Sequence, residues 1–329
     1  MWFEKLTGFK EVSPENVRKN IELLDGSIIS KVNGKSYKYG RLEVPSLEEL
    51  RERIPSLSTF NDKISVIEVV GDVQSLHKDY ENAGALFQVA SQFNLLEMIS
   101  PEIIPERGVG IYENDNTQGP ACAIACGAGT IFRNYFFEIN KQIGQTSENQ
   151  IDCIADIGNA LGNDNSKFWK MQNGYALVSE TGLDKITKKL KTIDDVEYDV
   201  LLGKLRLGIQ FDTQVTLDNN EHKVTQAYCS ALPVAYSQYN KDKWTEFSKF
   251  ILNAAYEATF CTGILNYLNT GNKKVYLTLL GGGAFGNRND WITSAIRRSL
   301  KKYANTPLDI RIVSYDRPKE CFRELMESR

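Results

Sequence analysis

The sequence predicts an α/β fold with a mixed, largely parallel sheet between two layers of helices, and three observations carry that expectation. Val275 to Leu280 is an unbroken β-branched and aliphatic run, as a strand buried on both faces requires. It leads through Gly281, Gly282, Gly283, Ala284, Phe285 and Gly286 into a helical pattern of Trp291, Ile292, Ala295 and Ile296. Finally, Leu205, Leu207, Ile209 and Phe211 alternate with Arg206, Gly208, Gln210 and Asp212, the period of an antiparallel strand with one core face and one polar face.

Taken in order, residues 1–58 read as an N-terminal extension that covers an edge or face of the main domain. Asn33-Gly34 between two β-rich runs marks a hairpin, and Ser46 before Glu48 and Glu49 caps a short helix that Pro55 ends. Residues 59–316 form the main domain, with an insertion at about 140–203 that holds a helix start at Ile151 and an amphipathic, lysine-rich helix near Leu183 to Leu190. Residues 317–329 are a C-terminal tail. Val224 to Val234 returns as the antiparallel partner of the alternating strand, and Trp244 to Tyr267 reads as a long helix.

Composition narrows the function. The formal charge of −3, from 42 acidic and 39 basic residues, gives no electrostatic case for nucleic acid or an anionic membrane as partner. No apolar run reaches transmembrane length and the opening lacks a signal-peptide core, so a soluble, intracellular, cytoplasmic protein is expected. Six scattered cysteines read as reduced thiols. Cys122 and Cys126 lack a second pair at zinc spacing, and only His77 and His222 supply imidazole, so no metal site and no histidine-based catalytic triad is expected.

The glycine loop has the shape of an anion site: permissive backbone, unpaired amides and a helix start, with Asn287 or Asn289 as the cap. It is not a P-loop, because Asn287 and Arg288 stand where Lys and Ser or Thr belong. Nor is it a dinucleotide fingerprint, since it lies near the C-terminus of the sequence. The competing reading is a turn that only packs strand on helix.

Gly71, Asp72 and Val73 at the end of one strand, followed by a strand running into Val89, Ala90, Ser91, Gln92, Phe93 and Asn94, resemble the paired motifs of the macrodomain family. The long helix, the strand at Val275, the glycine loop and a last strand from Asp309 to Tyr315 are similar to that family's C-terminal half, and the loop is similar to its poly(ADP-ribose) glycohydrolase branch. The resemblance implies that ADP-ribose is the ligand. Asp72 and Val73 would then meet the adenine, Asn94 would border the distal ribose, residues Gly281 to Asn287 would wrap the pyrophosphate, and Tyr315 would lie against the adenine. The chain departs from the family in three ways: VASQFN replaces the usual asparagine motif, the glycine-rich loop beside the distal ribose is missing, and so are the branch's paired catalytic glutamates.

Where that ribose loop should be, Glu113, Asn114, Asp115, Asn116, Thr117 and Gln118 crowd together after a strand-like run from Val109 to Tyr112. These groups suit sugar hydroxyls, with Thr117 and Gln118 as ligand contacts and Asp115 as the acid nearest the reacting carbon; Glu113 and Asp212 are its rivals. The bland alternative is a solvated loop. The resulting expectation is a macrodomain that needs no cofactor and hydrolyses ADP-ribose from modified proteins as a mono-ADP-ribosyl hydrolase, with arginine-linked or ubiquitin-linked ADP-ribose as the candidate substrates. The alternatives are a non-catalytic reader of ADP-ribosylated proteins and a phosphatase acting on ADP-ribose phosphate.

Overall fold

The computed structural model describes residues 1–327. Its centre is a seven-stranded sheet, whose strands are β1 (Arg41–Glu43), β2 (Ser65–Val70), β3 (Leu86–Ala90), β4 (Gly208–Gln214), β5 (Lys223–Cys229), β6 (Lys274–Leu277) and β7 (Asp309–Ser314), in the order β1-β4-β5-β3-β6-β7-β2. β5, β3, β6, β7 and β2 run parallel, while β4 is antiparallel to both β1 and β5. The expected antiparallel return is therefore present, and β1 places residues from the first 58 on the sheet's edge.

The central strand shows why both faces are apolar. Phe87 stacks on His77 of helix α1 (Val73–Lys78) at 3.8 Å between ring centroids, on one side of the sheet. Its neighbour Gln88 points the other way, donating to Thr259 Oγ1 at 2.9 Å on the long helix Thr245–Thr270. Helices thus cover both faces, and the sheet is the middle of three layers. α1 packs with α2 (Gln118–Ala125) and α3 (Gly127–Tyr135) in one layer; the long helix, α4, packs with α5 (Asn289–Lys302) in the other. The elements that carried the family resemblance stand in the implied order: β2 ends at Gly71-Asp72, β3 precedes Ser91 to Asn94, α4 leads to β6 and the glycine loop, and β7 ends beside Tyr315. The arrangement is the expected three-layer α/β/α sandwich around a mixed, largely parallel sheet.

Several local expectations are corrected. The strand expected over Val275 to Leu280 leaves the ladder after Leu277, because Gln88 Oε1 takes the Thr278 amide and Tyr256 Oη takes the Leu280 amide. Val109 to Tyr112 is no strand: Gly110–Asn114 is a 3-10 turn. The polar face expected on β4 is covered at Gln210, which is buried and donates to the Tyr39 carbonyl. A bulge between Gln210 and Thr213 puts Asp212 at φ 54° and breaks the alternation. Neither Asn287 nor Asn289 caps α5, whose N-cap is Arg288 without a side-chain bond.

A second, smaller core lies beside the main one. Phe3, Leu6, Val17, Ile21 and Ile28 from the first 30 residues pack there with Leu96, Met98, Val109 and Tyr112.

Candidate functional site

The carboxyl ends of the five parallel strands open into a cleft of about 760 Å³, the place where open α/β sheets take ligands. At one end β2 passes into Asp72, the N-cap of α1, whose Oδ1 accepts from Ser75 N at 2.8 Å while its other oxygen has no partner among the described residues. Val73, Val313, Lys319 and the exposed Tyr315 line the same end.

The glycine loop forms the middle. Gly281 and Gly286 hold φ of 71° and 70°, and a Cβ on Gly281 would come within 2.4 Å of the Ala231 side chain, so these two glycines shape the turn. Gly283 is different, with an ordinary φ and no heavy atom within 4 Å of where its Cβ would stand. The loop closes through Asn287 N to Gly281 O and Gly286 N to Gly283 O, leaving the amides of Gly283, Ala284 and Phe285 without an acceptor among the described residues. Three consecutive free donors on a tight loop make an anion cradle.

The far end carries the acids. Asp115 is half-buried at the rim; its Oδ1 takes the Thr117 amide at 2.8 Å, and its second oxygen is unengaged among the described residues. Glu97, which nothing in the sequence singled out, lies on the floor and is 3% exposed. Both of its carboxylate oxygens accept from Arg133 Nη2, at 3.2 and 3.1 Å, and its amide donates to Tyr112 Oη. Burial pushes the Glu97 carboxyl up to about 7, and the Arg133 guanidinium limits the rise. Arg133 is itself fully buried, with its guanidinium 3.8 Å from the Tyr228 ring centroid and further bonds to Leu95 O and Tyr228 Oη. Tyr175, Tyr236 and Phe285 form an aromatic wall with centroids 5.2 to 5.7 Å apart. Tyr175 comes from a hairpin, Trp169–Gln172 with Tyr175–Val178, inside the segment read as an insertion, and its hydroxyl donates to Met98 O.

The cleft brings together Asp72, Val73, Asp115, Thr117, Gln118, Gly281, Gly282, Gly283, Ala284, Phe285 and Tyr315. It does not include the others. Asn94 is fully buried behind it, donating to Gln150 and accepting from Leu96 N, and so shapes the turn in which Leu95 takes φ 65°. Asn287 staples the glycine loop to Leu232 O. Gly286 packs against Ala235. Glu113 turns away to accept from Trp2 N. Asp212 sits where β4 meets the start of β5, at the opposite end of the sheet from the cleft, and is corrected as a candidate acid. Gln118 lines the cleft, yet its amide is engaged with Ala90 N, Gln88 O and Cys122 Sγ, extending the edge of β3.

No family model matches the chain, and no curated protein matches it. Solved structures similar to it are poly(ADP-ribose) glycohydrolases. The enzyme from Deinococcus radiodurans in complex with ADP-ribose has a TM-score of 0.47 at 13% identity, over 87% of this chain and 94% of that one. The enzyme from Thermomonospora curvata has a TM-score of 0.47 at 11% identity, over 95% of this chain and 94% of that one. Among the described residues no group of three or more His, Cys, Asp and Glu could hold a metal ion, and no helix is long and apolar enough to cross a membrane.

Proposed function

We propose that this protein binds ADP-ribose along the cleft and hydrolyses the glycosidic bond at the distal ribose, releasing ADP-ribose from a mono-ADP-ribosylated protein, with arginine-linked or ubiquitin-borne ADP-ribose as the linkage to test first. The observation that carries the reading is the pair of acids at one end of the cleft in unlike surroundings: Asp115 at the rim with a free oxygen, and Glu97 buried beside Arg133. Glycosidic cleavage passes through an oxocarbenium-like state and uses two carboxyl groups, one to activate water or stabilise charge and one to carry a proton. Unlike environments are what separate those roles. A carboxyl held near 7, as Glu97 is, suits the proton carrier; Asp115 suits the water. The free amides of Gly283, Ala284 and Phe285 support a pyrophosphate in the middle, and Asp72 supports an adenine at the other end.

The assay is release of ADP-ribose from arginine-, serine- and glutamate-linked proteins. Asp115→Asn keeps shape and reach but removes the charge, so turnover falls by about 10²-fold or more while ADP-ribose affinity in calorimetry changes little, the usual scale for losing an acid or base. Wild-type protein that binds ADP-ribose yet releases none from any of the three is a reader of ADP-ribosylated proteins instead.

A further inference from the structure

The loop that presents Asp115 is seated from outside the cleft. Glu11, in the first segment of the chain, receives the Val109 amide at 3.0 Å, the Gly110 amide at 2.6 Å and the Tyr135 hydroxyl at 2.6 Å on its two carboxylate oxygens. Gly108 and Gly110 leave room for it, since a Cβ on either would lie 2.6 Å from a Glu11 oxygen. Trp2 adds two bonds to the same turn, its indole N–H to Val109 O at 3.2 Å and its amide to Glu113 Oε2 at 2.9 Å. Phe3 is buried against the turn in the second core.

The turn held this way adjoins both acids. Asp115 follows its last residue, Asn114, directly. Tyr112, inside it, is buried and takes the Glu97 amide on its hydroxyl at 3.0 Å. A carboxylate accepting two adjacent amides fixes their directions, and charge-assisted bonds of this kind are the stronger class.

We propose that Glu11 is a positioning residue for the reaction: it seats the turn Gly110–Asn114 and through it sets where Asp115 and Glu97 stand in the cleft, without touching the ligand. This rests on the hydrolase reading, but its physical content does not. Glu11→Gln keeps the size and one acceptor oxygen while turning an amide donor toward donors, so the turn loosens and the rest of the fold stays. Turnover then falls by about tenfold or more, since small misplacements of reacting groups are costly, and calorimetric affinity for ADP-ribose stays within about twofold. Glu11→Asp, which keeps both acceptor oxygens, restores part of the loss. Trp2→Phe, which removes the bond to Val109 O and part of the indole packing, moves turnover the same way by less.

Hydrogen exchange read in the same variants separates the two claims. Faster exchange confined to amides 109–117 in Glu11→Gln supports the seating even if the wild type turns over none of the substrates, an outcome that sinks the hydrolase alone. Unchanged exchange there, or turnover and affinity dropping in parallel with the melting temperature, overturns the positioning role.

Discussion

Asp72 caps α1 and, in the proposed complex, also meets the adenine, and that decides how it must be tested. Its Oδ1 caps α1 through Ser75 N, so Asp72→Ala loses about 1 kcal/mol of cap stability together with any contact to the ligand. Asp72→Asn keeps a capping oxygen and presents an amino group to the adenine amino group. The asparagine variant should melt like the wild type and bind ADP-ribose roughly ten- to a hundredfold more weakly, the range for a charge-assisted hydrogen bond. Undiminished calorimetric affinity would end the adenine assignment. The glycines divide in the same way. A Cβ at Gly283 meets no heavy atom within 4 Å, so the melt of Gly283→Val should be nearly unchanged while binding is lost by occlusion of the cradle; Gly281→Val, at φ 71° and against Ala231, should damage the fold itself. If Gly283→Val still bound ADP-ribose normally, the loop would be a packing turn. The glycine loop was legible as a tight turn because the glycines stand directly between an apolar strand and a helical pattern. Glu97 was not, because it stands in an apolar run, Leu95 to Met98, and its partner Arg133 is 36 residues away. No local pattern marks a pair made by folding.

Elements were legible where their ends are chemically marked. Ser46 and Glu49 close a capping box on the helix Leu47–Arg53, and the Asn33-Gly34 turn joins strands Ser27–Ser30 and Ser36–Lys38. Reading failed where a distant side chain takes the backbone's hydrogen bonds, as Glu11 does at Val109 and Gly110 and Gln88 does at Thr278. The joint between the Leu47–Arg53 helix, α4 and α5 is of that distant kind. Glu257 of α4, with a fully buried side chain, accepts from Arg51 at 2.7 Å, Arg298 at 2.5 Å and Lys302 at 2.6 Å, and Asp199 takes Arg51 as well. Burial alone would raise the Glu257 carboxyl, yet hydrogen bonds from Arg51, Lys302 and Arg298 bring it down to about 2. Removing one member of a buried ionic group leaves the others uncompensated, so Glu257→Ala should destabilise the protein by about 3 to 5 kcal/mol in urea unfolding. A loss below about 1 kcal/mol would mean that water reaches the three cations and replaces the carboxylate.

At the scale of the whole molecule, the three buried groups whose carboxyl or imidazole titration shifts most, His77, Glu97 and Glu257, move stability with pH in different directions. His77 is fully buried; burial, opposed by its bond to Val73 O, lowers its pKa to about 4, so the unfolded chain binds the proton first and stability falls as pH drops below the ordinary histidine value of about 6.5. Glu97 has the opposite sign. Its folded value of about 7 lies above the ordinary 4.5, so its contribution is complete below 4.5 and is lost as pH rises through 7. Between about 4.5 and 6.5 the His77 and Glu97 slopes oppose one another and nearly cancel, and Glu11 and Asp152, whose carboxyls burial also raises, add to the Glu97 side. Glu257, held near 2, adds a contribution present above 4.5 that is lost as pH falls toward 2, so acid unfolding should steepen below about 4.5, where the opposing Glu97 slope has ended, the His77 slope runs out near 4 and Glu257 takes over. Urea titrations at a series of pH values test this, and Glu97→Gln isolates one sign: relative to wild type, the variant should gain stability as pH rises from 4.5 to 7, by up to about 3 kcal/mol. A difference between variant and wild type that stays constant across that window would show that Arg133 holds Glu97 ionised throughout, and would move the proton-carrying role to another group.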